Sequence, residues 1–537
     1  MSEITERTKV VNTADTLRQA SILKNALKIA LGTILSRVLG LLRESMLAYW
    51  FDRSTTDALS AAFRVPNFFR RLLNEGAFSL SLVPVVANNQ KRSPQKLQKL
   101  LSSMFLITLL FSAILTWAAI YNVESILYFI LDTNYTQQVD QFTLTCRLAQ
   151  IMFGFIFFII NCAFALAILN AIDDFLWPAL APTLLNLSML AATVWPLFMK
   201  ESKDTQAVVV AWGVCIGGLL QMSFLFTRLY VKKVFPILQF YLLNWIEVGQ
   251  EIMNVMKGII PGFLSVGFLQ ILVLINLKFV SMLGEGTISS FQYVDRLIEL
   301  PLSVVAVALG GSLLSSLARS HQSSEISYLR SKLYLGLKFN FFLMITSAFL
   351  LSNLSYPIVK LLFERGNFQQ GDVERTSFIL SYYAWIIISI SGSRIIASTY
   401  FSIGKIKWPL FAVVISLFMH VLILNLLTEI SLTEVLYASL ISSGFYFIIL
   451  LYGLRVYMNS NFIFNLVRDC FFYILFGYII AKIGHQVLTY LSSFVGLFGS
   501  FIVCALFVAF CILVSLRFVF FDLYKGLKEK ILRSDNV

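Results

Sequence analysis

The sequence predicts an all-α polytopic membrane protein of fourteen transmembrane helices, two six-helix lobes around a central cavity plus two extra C-terminal helices. Three observations predict it. Of 537 residues, 58% are hydrophobic and only 13% charged, whereas soluble domains carry about a quarter charged residues. Soluble domains could not hide that apolar share, and at ~20 residues per span it suffices for roughly fifteen helices. Lysine and arginine are also divided unequally between alternate loops. The same composition excludes disordered, collagenous and disulfide-scaffold classes.

The net charge of +13 would suggest nucleic acid in a soluble chain. Here it reads as cationic loops, and no nucleic-acid partner is expected. Cys146, Cys162, Cys215, Cys470, Cys504 and Cys511 fall mostly inside apolar runs without metal-ligand spacing, so packing is their expected role. His321, His420 and His485 lie far apart and form no metal motif, so no metal or cofactor is expected.

Residues 1–21 are polar and lack the apolar core of a cleavable signal. They read as a cytoplasmic tail before an uncleaved first anchor. Helices are expected near 22–51, 56–87, 100–121, 142–170, 176–199 and 207–230, giving a first lobe over 22–235. A second series near 248–281, 287–318, 333–353, 373–403, 408–428 and 435–457 gives a second lobe over 236–460. Helices near 469–490 and 495–521 fill 461–523, and 524–537 form a cytoplasmic tail. With both termini inside, twenty-one Lys and Arg fall in inner segments, from Arg7, Lys9 and Arg18 to Lys530 and Arg533. Arg53, Lys200, Lys203, Lys360 and Arg365 fall outside, a strong positive-inside bias. The charged segment 56–87 must therefore cross the membrane or return the chain to the inner side. The weak likeness of 77–86 to 308–317 suggests a duplication, and duplicated transporter halves place a substrate site at their interface.

An Arg or Asp at a helix centre costs ~2.5–3.5 kcal/mol on insertion scales, so charges inside spans need a reason. In the first helix Arg37, Gly40 and Glu44 share one face, and Ser36, Gly40 and Arg43 the adjoining stripe. Gly40 thus leaves room for a ligand or a neighbouring backbone. The second helix carries Asp57, Ser60, Arg64, Asn67, Arg71, Asn74 and Glu75 as one polar stripe, flanked by Arg70, with Pro66 expected to bend it. Its counterpart at 287–318 places Gln292, Arg296, Glu299 and Ser303 on one face beside Asp295. Mutual pairing accounts for the acids as well as gating does. The arginines point further, because guanidinium forks bind phosphate bidentately and stay charged when desolvated. A transporter with a cationic cavity for a phosphorylated amphiphile is the expectation. Gln270 and Asn276 are polar candidates in the seventh helix, with interhelical hydrogen bonding as the alternative.

No GxxxxGK[ST] motif is present, so no P-loop hydrolysis is expected. Asp173-Asp174 could be read as the metal pair of a membrane glycosyltransferase, or as acids that begin the next helix.

The segments Ser36–Gly40 with Arg43-Glu44, Thr56–Ala58, Pro66–Arg71 and Glu75–Ser79 resemble the signature of the MurJ (MviN) lipid II flippase family. Leu180–Asn186, Asp295–Pro301, Val305–Gly310 and Leu362–Phe368 extend the likeness in the same order over roughly the first 400 residues. The resemblance implies the multidrug/oligosaccharidyl-lipid/polysaccharide exporter fold in the bacterial cytoplasmic (inner) membrane. It implies a transporter, not an enzyme, acting as a monomer. The implied substrate is lipid II, the undecaprenyl-pyrophosphate disaccharide pentapeptide, held among membrane lipids. Cavity arginines of the family match Arg37, Arg43, Arg71 or its neighbour Arg70, and Arg296. Glu44 stands where the family usually has Asp, Asp57 matches an important acid, and Ser315 stands where Pro is frequent. The last two helices are implied to form a groove for the polyprenyl tail. A flippase for another polyprenyl-linked polysaccharide unit and a membrane glycosyltransferase are the alternatives.

Overall fold

The computed structural model describes residues 31–73, 78–195, 202–237, 245–310, 326–403, 405, 407–426, 430–455, 458 and 460–519. The expectations placed on 1–21, Asn74, Glu75, Lys200, Ser315, Arg319 and 524–537 lie outside the described residues. Those that are described contain helices and no strand.

Residues 31–50 form α1. It is followed by α2 (Arg53–Leu72), α3 (Phe78–Arg92), α4 (Pro94–Tyr121), α5 (Val123–Ile130), α6 (Thr133–Thr136), α7 (Val139–Met152), α8 (Gly154–Ala171), α9 (Leu176–Val194) and α10 (Lys203–Val231). The C-terminal half comprises α11 (Trp245–Ser281), α12 (Thr287–Gly310), α13 (Ile326–Asn353), α14 (Ser355–Phe363), α15 (Gln370–Tyr383), α16 (Ile386–Ser402), α17 (Lys407–Leu426), α18 (Leu432–Gly453) and α19 (Ser460–Val519).

Among the described residues, eight helical stretches are long and apolar enough to cross a membrane, or nine if the bent pair α15–α16 counts as one. Neither α1 nor α2 is among them, because Arg37, Arg43 and Glu44 interrupt the first and Asp57, Arg64, Arg70 and Arg71 the second. Hydropathy by itself misses the two helices that carry most of the buried charge.

Several expected boundaries change. The span near 142–170 divides into α7 and α8 at Phe153, where Ile156 N–H bonds three residues back to the Phe153 carbonyl. The span near 373–403 bends by 44° between α15 and α16. There the ladder tightens to i−3 bonds at Trp385, Ile387 and Ile388. The connections around 122–136 and 354–363 are helical, because Val123, Leu127 and Ile130, and likewise Val359 and Phe363, bury one helical face. The two C-terminal helices remain two, meeting within α19 at Gly496, whose φ of 75° and ψ of 169° are not helical.

Helix contact follows small residues, as expected where lipid supplies no hydrophobic drive between helices. On α10, a Cβ at Gly213 would meet Ala192 at 2.7 Å, at Gly217 the Leu185 backbone at 2.9 Å, and at Gly218 Phe155 at 2.7 Å. These glycines let α10 lie directly on α9 and α8. In the C-terminal half, α13 packs along α16 and α19, and α18 against α16 and α17. A separate core of Leu337, Phe342, Tyr400, Leu450 and Tyr473 fills that space. The halves meet where α12 lies against α2 and where α11 lies against α2, α3 and α4.

Candidate functional site

At one end of the bundle the halves are clasped through backbone. Asp57, at the start of α2, is buried and accepts from Gly286 N–H at 2.6 Å and Ser289 N–H at 2.7 Å. Those donors lie just before and within the first turn of α12, so Asp57 supplies in trans the anionic cap that a helix N-terminus favours. Beside it, Arg53 pairs with Asp372 at 2.5 Å, and Asn367 donates from its backbone to the Tyr49 carbonyl at 3.0 Å and from its amide to the Trp50 carbonyl at 2.6 Å. Gly366 permits this approach. Its φ is +62°, and a Cβ there would stand 2.3 Å from the Tyr49 carbonyl oxygen. The segment 362–368 thus clasps the end of α1. At the other end, Lys99 pairs with Glu247 at 2.6 Å and Lys96 with Glu251, joining α4 to α11.

Between these ends lies the charge cluster. Glu299 of α12 receives Arg37 of α1, Arg71 of α2 and, at 3.0 Å, Arg296 of its own helix. Glu44 receives Arg43, Arg296 at 3.3 Å and the Gln292 amide at 3.1 Å. Arg43 and Glu44 are each 1% exposed, so protein partners rather than water compensate their charges. Asp295 takes Arg64 at 3.5 Å. Six arginines therefore face three carboxylates, and the excess is positive. Arg70 is the odd member. It donates to Asn67 at 2.8 and 3.0 Å and has no carboxylate partner among the described residues.

Two cavities open on this cluster from opposite sides of α12. The first, of about 230 Å³, lies between α1, α2, α9 and α12, with Arg37, Arg43, Arg70 and Arg296 in its wall and no carboxylate. Ser36 and Gly40 line it too. The space beside Gly40 is taken by the Asn186 side chain, at 3.6 Å from a built Cβ. Asn186 donates to the Ser36 carbonyl at 2.8 Å and accepts from Arg43 at 3.0 Å, fixing that guanidinium. The second cavity, of about 430 Å³, lies between α2, α11, α12 and α15–α18. Arg64, Arg71, Asp295 and Glu299 form one wall, and Gln270 and Asn276 line it from α11. Arg70 and Arg71 thus serve different cavities. Glu44 and Asn67 line neither and act behind the arginines, and Asp57 stands apart in the clasp.

Asn186, Asn367 and Arg394 were missing from the expected set. The first two sit within the sequence segments 180–186 and 362–368, and Arg394 interrupts an otherwise uncharged apolar run, a signal that was available. Asp174 does not begin α9. It accepts from Arg228 at 2.7 Å and lies 3.6 Å from Lys232, tying the turn to α10. Among the described residues no group of three or more His, Cys, Asp or Glu could hold a metal ion. All six cysteines are free.

A family model described as lipid II flippase MurJ matches residues 46–516. The match begins just after Arg43 and Glu44 and reaches through α19. A probable lipid II flippase MurJ of Bdellovibrio bacteriovorus is 39% identical over 411 residues, 74% of this chain and 75% of that one. The lipid II flippase MurJ of Burkholderia cenocepacia is 32% identical over 384 residues, 70% and 72% of the two chains. Among solved structures, lipid II flippase MurJ in an inward closed conformation superposes with a TM-score of 0.74 at 24% identity, covering 92% of this chain and 99% of that one. An inward-facing multidrug resistance MATE family transporter of the MOP superfamily follows the same fold, with a TM-score of 0.65 at 11% identity over 83% and 98%. The chain belongs to the lipid II flippase MurJ family.

Proposed function

We infer that this protein is a lipid II flippase, moving undecaprenyl-pyrophosphate disaccharide pentapeptide from the inner to the outer leaflet of the bacterial inner membrane for peptidoglycan synthesis. The observation that carries the reading is the wall of four arginines, Arg37, Arg43, Arg70 and Arg296, around one cavity that has no carboxylate in its lining. A pyrophosphate and its sugars cannot enter hydrocarbon without replacement of their hydration. Guanidinium forks replace it with charge-assisted bonds.

In this reading fourteen helices span the membrane with both termini cytoplasmic. The lobes 22–235 and 236–460 rock about the site, and 461–523 shelter the polyprenyl tail of a substrate carried by a monomer. The geometry supports a cycle of exchanged partners. An entering pyrophosphate competes with Glu44 and Glu299 for Arg37, Arg43 and Arg296, which loosens the ties between α1, α2 and α12. Opening one end requires release of the Asp57 and Asn367 clasp, and opening the other requires release of the Lys96 and Lys99 pairs. Glu44, Asp295 and Glu299 then recapture the arginines when the substrate leaves.

Rescue of cells depleted of their own lipid II flippase tests this. Wild type is expected to restore growth, and Arg37→Ala, Arg43→Ala and Arg296→Ala to fail at equal membrane abundance. Equal rescue by all three variants would overturn the assigned site. Failure of well-expressed wild type would point to another lipid-linked substrate.

A further inference from the structure

His420 is the one ionisable side chain of α17 apart from Lys407 at the start of that helix. It is 0% exposed, and an ionisable group buried inside an apolar span calls for a function and a partner. The partner is only half supplied. Nδ1 lies 3.1 Å from Ser442 Oγ on α18, and that hydroxyl donates its own proton to the Ser439 carbonyl at 3.2 Å. The ring proton therefore sits on Nδ1 and is donated to Ser442, which leaves Nε2 as a bare lone pair. Among the described residues Nε2 bonds nothing. A buried acceptor without a partner is costly, and this one is also a base.

The imidazole lies behind one wall of the larger cavity. Ser416, a turn earlier on α17, and Ser439 and Ser443 on α18 line that space. Ser416 donates to the Ser442 carbonyl at 2.7 Å, and Ser439 Oγ is buried and has no partner among the described residues. Hydroxyls thus lead from the cavity to the ring. The helices packed along α17 are α18, α11 and α16. Toward this space α18 turns Tyr446, α16 turns Arg394, and α11 turns the neutral amides Gln270 and Asn276. Glu434, near the start of α18, accepts from Ser431 N–H at 2.9 Å. Among the described residues no acid pairs with His420.

We propose that His420 is a proton-binding site whose occupancy sets how α17 and α18 pack. Nε2 takes a proton from cavity water, the imidazole becoming imidazolium while Nδ1–H stays on Ser442, and later returns it to water. An imidazolium finds no counter-charge in the closed seam, so it favours an arrangement in which water passes Ser416 and Ser439 to reach it. The uncharged ring favours the packed seam of this structure. Both helices wall the larger cavity, so one proton biases the shape of that cavity. The link from proton uptake to lipid movement rests on the flippase reading; the proton site itself does not.

Two measurements test the site. The first needs no lipid substrate. Ser439→Cys is labelled with a water-soluble thiol reagent, and its rate is divided by that of the same cysteine in a His420→Gln background, which cancels the thiol's own pH dependence. The ratio is expected to rise about tenfold between about pH 8 and about pH 6. The second uses vesicles holding the protein and lipid II at zero membrane potential. A pH difference of about one unit is expected to displace the leaflet distribution of lipid II about tenfold if one proton moves with each lipid. In His420→Gln, and in His420→Asn as a second neutral replacement, that displacement should vanish. A labelling ratio that ignores pH, a displacement retained in both replacements, or its absence from a wild type that moves lipid II overturns the proposal and leaves the flippase reading in place. Wild type that moves no lipid II overturns that reading, and the labelling ratio alone then decides the proton site.

Discussion

The two cavities that flank α12 differ in how their charges are compensated. On the α1 side, the wall presents guanidinium groups alone, and the carboxylates that balance them, Glu44 and Glu299, stand behind the lining or on the far side of α12. On the α16 side, acids and arginines share the wall with two amides, several hydroxyls and a larger number of apolar side chains. The first arrangement attracts a compact anion and must give up ion pairs to hold it. The second has little net charge to offer apart from Arg394, and its wall is mixed polar and apolar. One helix supplies both: successive positions on α12 send Arg296 one way and Asp295 and Glu299 the other.

The strongest way to break this contrast is Arg296→Ala. That side chain bridges Glu44 and Glu299, so its removal leaves a buried and a part-buried carboxylate each one partner short and disturbs both cavities. Breaking a buried pair costs about 3–5 kcal/mol. Thermal unfolding in detergent should fall by several degrees, and transport of lipid II in vesicles should be lost. Arg296→Lys should recover more stability than transport, because an ammonium keeps the charge and lacks the fork.

Asn186→Leu should reach only the first cavity. It strips Arg43 of an acceptor and Ser36 of a donor, at a cost of about 1–3 kcal/mol. Binding of bare undecaprenyl pyrophosphate should weaken. Asp57→Ala spares both cavities and removes the cap on α12. A loss of about 1 kcal/mol is expected, together with faster thiol labelling of a cysteine placed at Ser290, which is 2% exposed in the clasped state. Unchanged labelling would show that the clasp does not control access from that end. The smallest effect belongs to Ser439→Ala. Among the described residues its hydroxyl has no partner to lose, so thermal stability should stay within about 0.5 kcal/mol of wild type.

The contrast was only half legible in the sequence. Charge inside apolar runs marked α1, α2 and α12 as the elements that matter, and spacing placed Arg37, Arg43 and Arg296 where a cavity could use them. Spacing could not separate Arg70 from Arg71. Adjacent residues on a helix point about 100° apart, and which direction meets which cavity depends on how α2 lies against α9 and α12. The polar stripe of α2 likewise read as one surface, yet Asp57 caps another helix while Arg64 faces Asp295, 231 residues away. Partners at such separations come from helix packing, which local pattern does not encode. The bend between α15 and α16 was hidden for a related reason. Neither Pro nor Gly marks it, and the tightened bonds at Trp385, Ile387 and Ile388 appear only in the folded backbone. Arg394 was legible by the same rule that found the other arginines, as a lone charge in an apolar helix.

Arg70 gives the most direct test of the first cavity. It lines that space and is paired only with the neutral Asn67 among the described residues, so replacing it leaves no carboxylate stranded. The measurement is the affinity of purified Arg70→Gln for bare undecaprenyl pyrophosphate, with thermal unfolding recorded on the same sample. A loss of about tenfold in affinity at unchanged unfolding temperature is the expected result. Wild-type affinity in a variant that has lost this arginine would contradict the assignment of the arginine-walled cavity to the pyrophosphate.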